Sequence, residues 1–186
     1  QERKGDLKVM TYNIRYATMK DGPNAWIYRK DASIAMIKDQ QPDVIAMQEV
    51  LFKQKKYFDI MLFEDYQGVG VGRENGKKKG EHTTIHWNRN TMNMLDWGTL
   101  WLSETPEKPS VGWDAWHPRT FTWMLLEKKD SGKKFYFIND ECLGLELYLF
   151  TLTRQLVGSL TIDHTGREGG RHLLDGADET FEGLLH

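Results

Sequence analysis

The sequence has little cysteine, no long apolar run and no excess of one charge, and each absence excludes a class of protein. Its single cysteine, Cys142, excludes an internal disulfide and a metal site built on thiolates. The 25 basic and 27 acidic side chains give a formal net charge of -2, which argues against a nucleic-acid binder held by bulk charge. No apolar run approaches the roughly 20 residues of a membrane-spanning helix, so we expect no membrane span.

The length of 186 residues suits one domain, and we expect a single domain and a monomer. The chain begins at Gln1 without an initiator methionine, as a processed chain would, and an exported location follows if a signal was removed. The lysine-rich stretches 53–56 and 76–80 are expected to be solvated surface. The seven tryptophans suit a cleft wall as well as a core, and a carbohydrate-binding module remains an alternative without a motif behind it.

The hydrophobic pattern predicts an α/β protein. The first third reads as a strand in 6–15, a helix at 26–39 and a strand at 43–47 that is apolar on both faces. A second helix at about 53–63 and a strand-like stretch at 66–73 follow, and then four further strands between 82 and 139. The segment 145–160 reads as a helix that is apolar nearly all round.

Glycines 68, 70 and 72 have the spacing G-x-G-x-G, which invites comparison with a dinucleotide-binding loop. No helical pattern directly follows them, so that motif is excluded.

Polar residues end the first two predicted strands, and this is where the sequence first indicates chemistry. Asn13 lies among the polar residues at the end of the first strand, and Glu49 follows the apolar run 44–47. Two strands joined by one crossover helix have their carboxyl ends side by side, so these residues should converge. Carboxylate and amide oxygens are the ligands that suit Mg²⁺ or Mn²⁺. An ordinary solvated glutamate at the start of a loop is the alternative interpretation.

Five segments in this order resemble the endonuclease/exonuclease/phosphatase family of Mg²⁺-dependent phosphoesterases, and most resemble a bacterial branch of it. They are MTYNIR, PDVIAMQEV, GVGVGR, GTLWLSETP and GWDAWHPRTFTW, within residues 6–139. The resemblance implies a four-layer, DNase-I-like sandwich of two mostly antiparallel sheets flanked by helices, with an active-site cleft along one edge.

The same resemblance assigns roles to particular residues. Glu49 is the metal-binding carboxylate by this likeness, and Asn13 helps to hold metal or phosphate. Arg119 stands where the family often has a residue facing the phosphate, and a guanidinium provides the forked donors that phosphoryl oxygens accept. The candidates for substrate contact are Arg15, Arg73, Glu81 and Trp113, for each of which a structural role is the alternative. His82 and His86 replace residues of an apolar strand in the branch, with unknown effect.

The likeness fails after residue 139, so the fold is expected to be incomplete on its C-terminal side. Where the family has Asn-Thr-His-Leu, this chain has Asn-Asp-Glu-Cys at 139–142, and no Gly-Asp-Phe-Asn-like segment follows. One remnant is the pair Asp163 and His164, since the family ends in an Asp-His pair whose histidine works with the nucleophilic water. The pair could equally be a displaced part of the middle motif or a chance dipeptide in a loop.

Two functional hypotheses follow. The first is a divalent-metal-dependent hydrolase that cleaves phosphodiester or phosphomonoester bonds with metal-activated water. The alternative is a truncated or catalytically dead member that retains the fold and a weak metal or phosphate site. The phosphate-ester substrate stays open, because nucleic acids, sphingolipid head groups, inositol phosphates and sugar phosphates all occur in the family.

Overall fold

A computed structural model describes residues 6–140, 146–151 and 156–161, which form two sheets with helices against one of them. The first sheet has the order β1-β2-β4-β3, and the second runs β5-β6-β7-β8-β9. The helices are α1 (Trp26–Gln40) and α2 (Phe52–Met61), with a 3₁₀ segment at Met19–Asn24. The strands are β1 (Val9–Asn13), β2 (Val44–Val50), β3 (Tyr66–Val69), β4 (His82–Asn88), β5 (Met92–Trp101), β6 (Thr120–Lys128), β7 (Lys134–Asp140), β8 (Glu146–Thr151) and β9 (Leu156–Thr161).

The strand pairing confirms the predicted α/β sandwich. β1 and β2 pair in parallel, with α1 as the crossover between them, and every other strand pair is antiparallel. This arrangement is the two-sheet sandwich of the DNase-I-like fold. α1 ends where Gln41 adopts a left-handed conformation (φ 46°) and donates its N–H to Ile37 O, directly before Pro42.

β2 is buried on both faces, as its continuous apolar run predicts. Ile45 and Met47 pack in a core with residues of α1 and α2, whereas Val44 and Ala46 belong to the core between the two sheets. All four side chains are fully buried. Burial of an Ile or Met side chain contributes about 1.5–3 kcal/mol, so β2 is the central element of this half of the fold.

The predicted helix at 145–160 is wrong, because β8 and β9 occupy this segment. β8 pairs with β7 and β9 pairs with β8, both antiparallel. A segment that is apolar on all sides lacks the 3.6-residue period that indicates a helix. Tyr148, Phe150 and Val157 also belong to residue types that favour strands. The open edge of β7 offers unpaired backbone groups that a strand satisfies and a helix does not.

No helix within the described residues is long and apolar enough to cross a membrane.

Candidate active site

The carboxyl ends of β1 and β2 meet at one edge of the first sheet, as their parallel order predicts. Asn13 pairs with Gln48 in the register, and Asn13 Nδ2 donates a hydrogen bond of 3.0 Å to Glu49 Oε1. The structure therefore brings together the amide and the carboxylate that the sequence singles out.

A β-bulge positions Glu49. Met47 pairs with Thr84 and Val50 pairs with His82, so three steps along β2 match two along β4 and one residue is extra. Glu49 lies in this bulge with φ 58°, a left-handed conformation that costs a residue with a Cβ on the order of 1 kcal/mol. Its side chain is 29% exposed, so the strained backbone presents a carboxylate that solvent and ligands can reach.

Both oxygens of Glu49 accept hydrogen bonds, Oε1 from the last residue of β1 and Oε2 from the segment that follows β1. Tyr16 donates its main-chain N–H to Oε2 over 3.2 Å, and Arg15 Nη1 lies 3.9 Å from the same oxygen. The main-chain N–H of Arg15 donates to Asn13 Oδ1 over 2.9 Å, which turns the amide nitrogen of Asn13 toward Glu49. Asn13 thus orients the carboxylate, and its role as a direct metal ligand remains a prediction.

Arg15 is the cation nearest to Glu49 among the described contacts. It too has a left-handed backbone (φ 59°), and its Nε and Nη2 atoms donate to the carboxylate of Asp21 over 3.3 and 3.2 Å. The hydrogen bond with Asp21 raises the pKa of Arg15, so the guanidinium keeps its charge. Because this side chain is half exposed, it can face an anionic substrate while Asp21 orients it.

Two buried amides that the sequence analysis missed hold this edge in place. Gln54, in the first turn of α2, bonds to the loops that follow β1 and β2. Asn139 in β7 reaches across the sandwich to β2 and β4. Gln54 had a signal, since a glutamine at the third position of a helix commonly accepts from the N-cap N–H. For Asn139, the only signal in the sequence was its place as the first residue of the altered family motif.

Arg73 and Glu81 contact each other rather than Glu49. Arg73 Nη1 and Nη2 donate to the two Glu81 oxygens over 3.2 and 3.3 Å, and the Arg73 side chain is 11% exposed. Trp101 Nε1 donates to Arg73 O over 2.7 Å. These contacts give the pair a structural role beside β4 and β5, and substrate contact remains a prediction.

Trp113 and Arg119 belong to the segment between β5 and β6. Trp113 is 65% exposed and has φ 49°. Arg119 is partly buried, and its main-chain O accepts from Leu102 N. Its neighbour Thr120 lies within 3.2 Å of the Thr83 hydroxyl in β4, so β6 begins at the same end of the sandwich as the Glu49 edge. Asp163 and His164 lie outside the described residues.

His82 and His86 are buried on the α2 side of the first sheet. His82 Nδ1 lies 3.0 Å from Val50 O, and burial lowers the pKa of His82. His86 Nε2 lies 3.3 Å from Asp59 Oδ1, and complete burial lowers the pKa of His86 as well. Both imidazoles are therefore neutral near pH 7 and belong to the packing of this face.

The donor set fits a hard divalent cation. An ionised carboxylate has about four lone-pair positions, and the described contacts of Glu49 from Asn13 and Tyr16 use two. Magnesium is commonly held by one or two carboxylates with water and substrate phosphate completing the shell. Within the described residues, no group of three or more His, Cys, Asp or Glu side chains could hold a metal ion. A metal at this edge would therefore depend on Glu49 together with water and substrate phosphate.

A groove of about 1100 Å³ lies at the opposite end of the sandwich, at the amino ends of β1 and β2. Its lining includes Lys8, Asp43, Asn88 and Lys128. It carries charges of both signs and contains no predicted site residue, so its size does not make it the candidate active site.

Comparison with known proteins supports the assignment that the geometry suggests. No family model matches the chain. An endonuclease/exonuclease/phosphatase from Bacteroides vulgatus is 39% identical with a TM-score of 0.71, over 74% of this chain and 52% of that one. A mannosyl-6-phosphatase from Bacteroides thetaiotaomicron is 36% identical with a TM-score of 0.69, over 73% and 51%. An uncharacterized protein of Acanthamoeba polyphaga mimivirus is 28% identical over 72% of this chain and 53% of its own length.

The two packed sheets form a DNase-I-like sandwich. The human Nocturnin catalytic domain shares this fold at 18% identity, with a TM-score of 0.57 over 75% of this chain and 50% of that one. The two Bacteroides structures of endonuclease/exonuclease/phosphatase proteins, 39% and 37% identical over 74% and 72% of this chain, show that the chain belongs to this family. It spans about half the length of these relatives.

Proposed function

We propose that the chain is a divalent-metal-dependent hydrolase of phosphate esters whose metal site is centred on Glu49. The observation that supports this most directly is the strained backbone at the edge, where Glu49 projects from a bulge and accepts from Asn13 and Tyr16. Left-handed conformations at residues other than glycine are retained where the surrounding structure enforces them, and they cluster at functional sites.

Each residue at this edge would have its own role in phosphoryl transfer. Glu49 would hold Mg²⁺ or Mn²⁺, which when bound lowers the pKa of a water and neutralises charge on the phosphate. Asn13 orients the carboxylate, and Arg15 offers its exposed guanidinium to a phosphate oxygen. Arg119, which precedes β6 at the same end of the sandwich, would add a second cation.

The substrate class that we propose to test first is a phosphorylated sugar. The relative from Bacteroides thetaiotaomicron is a mannosyl-6-phosphatase, and it shares 36% of its residues with this chain over the aligned part. A phosphodiester is the second substrate class that we propose to test, and a separate assay measures the hydrolysis of each class. The experiment measures phosphate release from mannose 6-phosphate and turnover of bis(p-nitrophenyl) phosphate, each with Mg²⁺ and with a chelator.

We expect metal-dependent turnover below about 1 per second, the low end of ordinary enzymes. The chain has no histidine at 141 and no downstream Asp-x-Asn segment, and the loss of one positioned donor typically costs about a hundredfold or more in rate. A rate that the chelator leaves unchanged would contradict the proposal. Absence of turnover together with retained Mn²⁺ binding would favour the alternative, a member that keeps the fold and metal site without catalysis, which the same missing motifs support.

A further inference from the structure

The buried side chain of Gln54 has more hydrogen bonds than its helix requires. Gln54 is fully buried in the first turn of α2, where an amide without partners would cost about 1–3 kcal/mol. Its Oε1 atom accepts from Leu51 N and Ala17 N, each over 3.1 Å, and its Nε2 atom donates to Arg15 O over 3.0 Å. All three partners are main-chain atoms.

These partners lie on both sides of the Glu49 carboxylate in the chain. Leu51 follows Glu49 by two residues, and Arg15 and Ala17 flank Tyr16. Tyr16 is the residue whose N–H donates to Glu49 Oε2. One side chain therefore fixes the loop that carries the carboxylate and the loop that hydrogen-bonds to it.

Helix capping accounts for only one of the three bonds. The bond from Leu51 N is that of a side chain three residues into a helix accepting from the N-cap. The bonds to Arg15 O and Ala17 N contribute nothing to α2, but they hold the segment in which Arg15 adopts its left-handed conformation. Without them, the strain at Arg15 would favour a relaxed loop and would move Tyr16 N–H away from Glu49.

We propose that Gln54 is a positioning residue for the Glu49 carboxylate, acting through the loop 15–17. This inference rests on the proposed function, since the carboxylate is positioned for a divalent cation. Partners that orient metal ligands typically change metal affinity by about 10-fold to 100-fold when they are removed.

The test compares Gln54→Met, which keeps the length of the side chain and removes its amide, with Gln40→Met at an exposed glutamine of α1. Mn²⁺ affinity is measured by calorimetry, and amide hydrogen exchange is measured in the metal-free protein. In Gln54→Met we expect a loss of about tenfold or more in Mn²⁺ affinity. We also expect faster exchange at Tyr16, with Ala46 in the centre of β2 still protected. Gln40→Met should match the parent in both measurements.

The outcomes separate positioning from capping and from the proposed metal site. Faster exchange at Lys55, whose N–H donates to Leu51 O, with no change at Tyr16 would assign Gln54 to capping alone and overturn the inference. A folded Gln54→Met variant with unchanged Mn²⁺ affinity would overturn it as well. If the parent itself binds no Mn²⁺, the proposed metal site fails, and exchange at Tyr16 still decides whether Gln54 positions the loop. Should Gln54→Met not fold, Gln54→Glu is measured in the same way. This variant keeps an oxygen that can accept from Leu51 N and Ala17 N, but it removes the group that donates to Arg15 O.

Discussion

Asn139 Nδ2 donates a hydrogen bond of 2.9 Å to the main-chain oxygen of Met47, which ties the second sheet to β2 two residues before Glu49. The same nitrogen donates to Thr84 O over 2.9 Å, and Asn139 Oδ1 accepts from Gln48 Nε2 over 2.7 Å. Met47 and Thr84 face each other directly before the bulge. One buried amide from β7 thus satisfies both carbonyls at the point where the ladder between β2 and β4 is interrupted.

We therefore expect Asn139→Leu to lower the free energy of unfolding by about 3 kcal/mol or more. It leaves two buried carbonyl oxygens without this donor and removes the acceptor of Gln48, and each unsatisfied group costs about 1–3 kcal/mol. Urea unfolding followed by circular dichroism measures the change. Asn93→Leu, at an exposed position of β5, is the matched control and should change the free energy by about 0.5 kcal/mol or less. Equal effects of the two substitutions would show that the Asn139 bonds contribute little.

The second prediction concerns the metal. Glu49→Gln removes the negative charge at the edge but keeps an oxygen that can accept from Asn13, so we expect an intact fold and weak Mn²⁺ or Mg²⁺ binding. The loss should exceed about a hundredfold, because a ligand is removed rather than one of its outer partners. Calorimetry of the parent and the variant measures it, with Glu64→Gln at an exposed glutamate as the control. Equal affinity in Glu49→Gln and the parent would remove Glu49 from the site.

The fold up to β7 and the position of Glu49 could be predicted because their signals are local. The apolar run before Gln48 indicates a strand buried on both faces, and a parallel pair with one crossover helix places Asn13 beside Glu49. The bulge was not predictable, because it arises from the pairing of β2 with β4 and from the amide of Asn139, which is 91 residues from Gln48 in the sequence.

The secondary structure of the segment 145–160 could not be predicted from its hydrophobic pattern. Its residues are apolar without a period of two or of 3.6, so composition alone could not decide between helix and strand. The open edge of β7 decides, and that edge exists only once β6 and β7 have paired. The ion pair of Arg73 and Glu81 was equally hidden, since eight residues and a turn separate the partners.

The third prediction concerns His164, whose part of the chain lies outside the described residues. If it enters the cleft beside Glu49, saturating Mg²⁺ should lower its pKa, because a nearby dication disfavours the protonated imidazole. His164→Ala should then abolish any phosphoesterase activity without unfolding the protein. NMR titration of the histidine with and without Mg²⁺ tests this. A curve that saturating metal leaves unchanged would exclude His164 from the catalytic site.

The last prediction is a loss of stability in mild acid that originates under α2. Complete burial lowers the pKa of His86 in the folded state, and Asp59 and Lys55 of α2 are the charged groups that face it. The unfolded chain takes up the proton near pH 6.5, the ordinary value for histidine. Between that value and the lower folded-state pKa, the unfolded state therefore binds more protons. The contribution of the neutral imidazole is therefore fully present above about pH 6.5 and is lost as the pH falls.

Burial also lowers the pKa of His82, so the two histidines act in the same direction, and single variants separate their contributions. Burial raises the pKa of Asp59, but the close contact with His86 and the hydrogen bond from Lys55 outweigh it and leave this pKa lowered. The contribution of Asp59 is therefore lost only at more acidic pH. We expect the urea midpoint of the parent to fall between pH 7 and pH 5, and the midpoint of His86→Leu to fall less steeply, whatever its value at pH 7. Parallel slopes for the parent and His86→Leu would show that His86 is not the group whose protonation destabilises the fold.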